Sequence, residues 1–216
     1  TDDDVCYGIE TPVDYAAIEG KLNLNNLKYL VDAMSACIIE NEVPFCELDS
    51  HAGDGDFGMS VAKGFRQLKR EWKEISTNAT DMSTFLHACS MVIMEHCGGA
   101  SGPIWGSAFR AASKAIVGKD SLTVADFADM MQAAVKGIQA TGDRSFGRGA
   151  VVGDKTLIDA LVPCADAWTE SGKNGASFID AFKAGAKAAV DGAKATEKIV
   201  ARMGRAGTVG ERSLGY

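Results

Sequence analysis

A chain of 216 residues can bury a core as one domain. Its 46% apolar and 24% charged residues exclude wholesale disorder. With 29 acidic against 22 basic side chains, the net charge of −7 leaves no footprint for general binding to nucleic acid. The longest uncharged run, the 14 residues from His96 to Phe109, falls short of the ~18 that cross a bilayer, so no membrane span is expected.

In chain order, residues 1–24 are acidic at the start and poorly periodic, which predicts an arm or linker ahead of one domain over 25–216. Leu27, Leu30, Val31, Met34 and Ile38 recur at helical spacing, with Pro44 just beyond, and predict a first helix over about 25–42. The same period returns in Phe85, Leu86, Cys89, Val92 and Ile93, then in Val124, Phe127, Met131, Val135 and Ile138. Two further runs follow, Leu157 to Trp168 with Pro163 expected to kink it, and Phe178 to Val190. Thr123 with Asp126, and Ser177 with Asp180, have the spacing of capping boxes. No stretch alternates with period two for long enough to make a sheet. The expectation is an all-α fold, an antiparallel bundle or barrel of about eight helices, without internal repeats or a second domain.

The six cysteines (Cys6, Cys37, Cys46, Cys89, Cys97 and Cys164) form no C-x-x-C pair and mostly lie in apolar stretches, so they read as reduced thiols. No basic-then-apolar signal opens the chain, and a cytoplasmic location is expected. Glycine is frequent, 24 residues against a typical share of ~7%. It clusters at 53–58, 98–106, 142–153 and 204–215, in stretches read as lying between helices. Such turns feed helix N-termini, where backbone N–H groups and the dipole favour phosphate.

Asp49, Asp54 and Asp56 stand in an Asp-x4-Asp-x-Asp spacing on the first glycine stretch. Carboxylate oxygens without thiolates favour Mg²⁺ or Ca²⁺ over zinc. An EF-hand loop requires Glu at its twelfth position, and counting from Asp49 or Asp54 gives Ser60 or Phe65 instead. A solvated acidic turn is the plain alternative. Gly98 to Pro103 places Ser101 and nearby amides toward an anion, with Pro103 in a first turn. Gly153-Asp154-Lys155-Thr156 is a third helix start, with Asp154 read as the N-cap and Thr156 offering a hydroxyl. Walker and Rossmann spacings are both absent. The segment Lys194 to Tyr216 carries five basic and two acidic side chains, and Arg202, Arg205 and Arg212 among its glycines read as a basic loop that neutralises phosphate. Each stretch alone also suits a purely structural turn. Together they point to carboxylate-bound Mg²⁺ and a polyphosphate ligand.

Four ordered segments then match one family: Gly53-Asp54-Gly55-Asp56 with Gly58 and Gly64-Phe65, Gly98 to Pro103, Gly153 to Thr156, and Ala201 to Ala206 with Gly210-Glu211-Arg212-Ser213. From Asn25 to Tyr216 the chain resembles the nucleotide-binding L subunit or L domain of dihydroxyacetone kinases. The resemblance implies an eight-helix antiparallel barrel with ADP or ATP and two Mg²⁺ ions at one end. Asp49, Asp54 and Asp56 would hold the metal, while Gly58, Ala100, Ser101, Gly142, Thr156, Leu157 and Arg205 would surround the nucleotide. The family often carries His where this chain has Phe57 and Asn where it has Ser60, so contacts at these two positions are expected from the backbone. Family chains also continue into an Asp-Pro-Gly segment beyond the position of Tyr216.

The resemblance further implies phosphoryl transfer in which positioning and charge neutralisation dominate, with Arg205 as the catalytic side chain. The ketose would be held by a separate K-type subunit. The donor would be ATP, or bound ADP recharged by a phosphocarrier of the phosphotransferase system, and a second copy of the chain is an expected homodimer partner. The rival from another class is a non-catalytic helical module that carries nucleotide or lipid.

Overall fold

The computed structural model describes residues 8–52, 55–146, 151–153, 156–198 and 214. Nine α-helices lie among them: α1 (Leu24–Glu40), α2 (Glu42–Ala52), α3 (Phe57–Arg70), α4 (Trp72–Asn78), α5 (Met82–His96), α6 (Ser101–Ala115), α7 (Val124–Phe146), α8 (Ile158–Lys173) and α9 (Phe178–Ala195). The described residues contain no strand, only isolated bridges pairing Glu19 with Lys21 and Leu22 with Leu122. The expected all-α bundle is the fold.

Local chemistry sets the helix starts. The Asn23 and Asn26 side chains each accept the other's backbone N–H at 2.9 Å, closing a capping box at α1. Asp81 and Thr84 do the same at α5. The box read at Thr123 and Asp126 forms in both directions, 3.0 and 3.1 Å. At α9, Ser177 Oγ accepts the Asp180 N–H at 3.2 Å.

The first helix departs from its predicted range. It ends at Glu40, and after Asn41 a new helix begins that the sequence reading leaves out. Pro44 was read as a stop, yet it sits in the first turn of α2, where a missing N–H costs no helical hydrogen bond and the fixed φ suits the helix. Pro163 lies inside α8, past its first turn, where its missing N–H does remove a helical hydrogen bond.

From α5 to α8, successive helices pack antiparallel. Ser83 at the start of α5 donates to the Ser113 carbonyl near the end of α6 at 2.8 Å. Thr141, late in α7, donates to Ser107 Oγ, early in α6, at 3.1 Å. Gln132 of α7 bonds Asp166 and Thr169 of α8, both at 3.0 Å. This alternation gathers the α5–α6 and α7–α8 connections at one end of the bundle.

Phe65, Leu68, Met82, Phe85 and Ile93 are fully buried in the larger core cluster. Phe127 stacks on Trp168 with ring centroids 4.3 Å apart and touches Phe178 and Phe182, which fastens α7, α8 and α9. A partly open apolar cavity of about 240 Å³ reaches into the interior, lined by Leu30, Met34, Trp105, Phe109, Met131 and Leu161 among others.

Residues 8–22 lie against the helices. Asp32 of α1, wholly buried, accepts from the Glu10 and Thr11 N–H groups at 2.7 Å and from Thr11 Oγ1 at 2.6 Å. It also pairs with buried Lys69 of α3, whose ammonium donates to the Gly8 carbonyl at 2.7 Å. Asn26 Nδ2 donates to the Tyr15 and Ala17 carbonyls at 2.7 and 2.9 Å. No helix of the described residues is long and apolar enough to cross a membrane.

Candidate functional site

The described residues among those named by the sequence border the α2–α3, α5–α6 and α7–α8 connections. Asp49 does not lie on a glycine loop. It is on α2, and from there its Oδ2 accepts the N–H groups of Gly55 at 3.0 Å and Phe57 at 3.2 Å. A helix thus braces the turn that starts α3, and Gly55 takes the φ of +80° that this turn requires. Asp56 caps α3 by position, with no side-chain cap bond. Both carboxylates are half-buried and border the same turn. Asp54, the third member, lies outside the described residues, and no group of three His, Cys, Asp or Glu side chains is gathered for a metal among those described. Asp49 and Asp56 still fit a hard divalent cation by the chemistry of the set, oxygen donors on one turn with no thiolate competing.

Helix α2 crosses the start of α3 at Gly58. A Cβ there would come within 2.0 Å of the Glu42 carbonyl oxygen, so glycine is required by backbone approach alone. Glu42 also pairs with Arg66, about two turns further along α3. Phe57 is exposed, its ring 6.0 Å from that of Phe45.

Ser60 and the second glycine stretch meet. The Gly98 N–H donates to the Ser60 carbonyl at 3.0 Å, and the Ser101 N–H donates to Gly98 at 3.1 Å. Ala100 is exposed ahead of α6, and Pro103 falls in the first turn as expected. Ser101 is buried. Cys97, just before this turn, is packed against Gly64, and burial pushes its thiol up to about 11. It is a packing group, not a nucleophile.

The third stretch is built differently from its sequence reading. Gly142 lies within α7, which runs on to Phe146. Asp154 lies outside the described residues. Thr156 Oγ1 accepts the Ile158 N–H at 3.2 Å, and Asp159 on the first turn of α8 accepts from Gly153 and Thr156, both at 2.8 Å. Asp159 is missed by the sequence reading although its signal is present: Thr156 and Asp159 have the three-residue spacing found at Thr123 and Ser177. Leu157 is half-buried against a small core cluster with Ile158 and Ala165. Arg205, with Arg202 and Arg212, lies outside the described residues.

The structure therefore joins Asp49 to the turn before α3, and Ser60 to the turn before α6, with Thr156 and Leu157 at the same end. Known proteins resemble the chain over most of its length. A family model described as the DAK2 domain matches residues 51–216. The ADP-binding subunit DhaL of PEP-dependent dihydroxyacetone kinase 2 from Listeria innocua is 31% identical over 188 residues, 87% of this chain and 84% of that one. The corresponding ADP-binding subunit from Escherichia coli K12 is 31% identical over 169 residues, 78% of this chain and 77% of that one. An L-erythrulose 1-kinase from Mycolicibacterium smegmatis is 30% identical over 207 residues, 95% of this chain but only 35% of its own length. On the matched model and these relatives, the chain belongs to the DAK2 domain family of dihydroxyacetone kinase ADP-binding subunits.

Proposed function

We propose that the chain is the nucleotide-binding, phosphoryl-transferring component of a kinase for dihydroxyacetone or a related ketose or polyol. The observation that carries this reading is the convergence of two turns at one end of the bundle: the Asp49-braced turn before α3, and the Gly98–Ser101 turn bonded to Ser60. Such turns offer N–H groups beside carboxylates, the pairing that a metal-bound polyphosphate needs.

Asp49, Asp54 and Asp56 would hold two Mg²⁺ ions, which supply neutralisation of the phosphate charge as transfer proceeds. Phe57, Gly58, Ser60, Ala100, Ser101, Gly142, Thr156 and Leu157 line or support the nucleotide. Asp49 also keeps the turn N–H groups of Gly55 and Phe57 in place ahead of binding. Arg205 would neutralise charge on the group in flight. The substrate would be held by a K-type partner. Support comes from relatives named as ADP-binding subunits and from the erythrulose kinase in which the matching region is about a third of a longer chain. The names of relatives as PEP- or PTS-dependent support a phosphocarrier-recharged ADP over free ATP as donor.

The test is calorimetric titration of Mg²⁺-ADP into wild type, Asp54→Asn and Asp56→Asn, with helicity followed by circular dichroism. Transfer to dihydroxyacetone is then measured with a K-type subunit, using ATP or ADP plus phosphorylated carrier. Each variant should keep its helicity and lose Mg²⁺-dependent binding. Undiminished affinity in both variants would refute the metal assignment, and absence of transfer with either donor would refute the kinase reading. A second reading, a lipid-carrying module without catalysis, draws on the partly open apolar cavity of about 240 Å³. A bound acyl lipid together with absent transfer would favour it.

A further inference from the structure

Asp159 is 4% exposed and brings a carboxyl group into the first turn of α8. Both carboxylate oxygens are committed. Oδ1 accepts the Gly153 N–H and Oδ2 accepts the Thr156 N–H, each at 2.8 Å. Those donors lie six and three residues upstream, so the carboxylate ties both ends of the Gly153–Thr156 stretch to the helix that follows. Gly153 takes a φ of +102°, a turn that side-chain-bearing residues rarely adopt.

The main chain of the same residue is also used. Pro163 has no N–H, so the Asp159 carbonyl lacks its i+4 helical donor. Helix α9 closes over that carbonyl at Gly192, where a Cβ would stand 2.3 Å from the oxygen and 3.1 Å from the Pro163 ring. One residue thus fixes the α7–α8 connection through its side chain and meets α9 through its carbonyl.

We propose that Asp159 is a positioning residue for the nucleotide, holding Thr156 and Leu157 in the orientation that binding requires without touching the ligand. The inference rests on the nucleotide-site reading above. An ordinary cap satisfies the N–H groups of its own helix. Here the carboxylate reaches back to Gly153, across the connection that ends in the residues assigned to the nucleotide. Asparagine keeps the size but has one acceptor oxygen for two N–H groups, and its amide would face one of them donor to donor.

The experiment compares wild type, Asp159→Asn and, as a control on the exposed face of the same helix, Asp166→Asn. Three measurements are made: urea unfolding, amide hydrogen exchange over 151–157, and titration with Mg²⁺-ADP under conditions where every variant is folded. Asp159→Asn should speed exchange at Gly153 and Thr156 and weaken ADP binding about 10- to 100-fold, the range for losing one hydrogen bond to a charged group. Asp166→Asn should change neither. A merely structural role would lower the unfolding midpoint and leave the affinity of the folded protein unchanged, which overturns the proposal. Unchanged exchange at both amides overturns it as well. If wild type itself binds no ADP, the nucleotide reading and the proposal fall together, an outcome distinct from equal binding by wild type and variant.

Discussion

Replacing Lys69 by methionine removes one partner of a buried ion pair. The Lys69 side chain is 1% exposed and that of Asp32 wholly buried. Methionine fills most of the volume, so the main effect is to leave the carboxylate without its counter-charge. Breaking a buried pair from one side costs about 3–5 kcal/mol. At roughly 2–4 °C per kcal/mol for a domain of this length, the melting temperature should fall by about 6–20 °C. Exchanging both partners for apolar residues, often neutral for buried pairs, offers no escape here. The N–H groups of Glu10 and Thr11 also depend on Asp32 and would be orphaned. The assay is a double-mutant cycle of Lys69→Met and Asp32→Ala by urea denaturation, with limited proteolysis reporting release of residues 8–22. The single variants should be less than additive by about 1–3 kcal/mol. A Lys69→Met loss under ~1 kcal/mol, or strict additivity, would refute the reasoning.

Two further outcomes are expected. Gly64→Ala should destabilise by about 1–3 kcal/mol despite alanine's better helix propensity, because the new Cβ would meet Cys97 Sγ at 2.1 Å and its backbone N at 2.9 Å. Adding Cys97→Ala should recover only part of the loss in urea denaturation, and a stability gain from Gly64→Ala would contradict the packing. In alkylation followed by mass spectrometry at pH 8, exposed Cys37 should react well before Cys89 and Cys97. Burial raises both of the latter thiols, that of Cys97 to about 11, so they stay protonated at pH 8 and labelling of Cys97 should quicken only as the pH rises toward that value. Equal rates for all three at pH 8 would refute this.

The helices that sequence periodicity predicts well, such as α5 and α9, are those whose apolar stripe is a local property, repeated every 3.6 residues and bounded by side chains three apart. The glycine stretches and the spacing of Asp49, Asp54 and Asp56 are visible as residue type and short separation, but their setting is not: Asp49 lies on α2 and Gly142 within α7. Other features required the packed chain. Pro44 reads as a stop in one dimension but suits the first turn of α2, so α2 and the helical setting of Asp49 stayed hidden. Asp32 and Lys69 stand 37 positions apart, and each alone looks like a solvated charge. Asp159 carries a capping spacing toward Thr156, but its bond to the Gly153 N–H emerges only in the folded chain. Sequence determines what a segment's own neighbours decide. Which charges lose water, and which backbone groups then need them, is decided by contacts between segments that only the tertiary fold brings together.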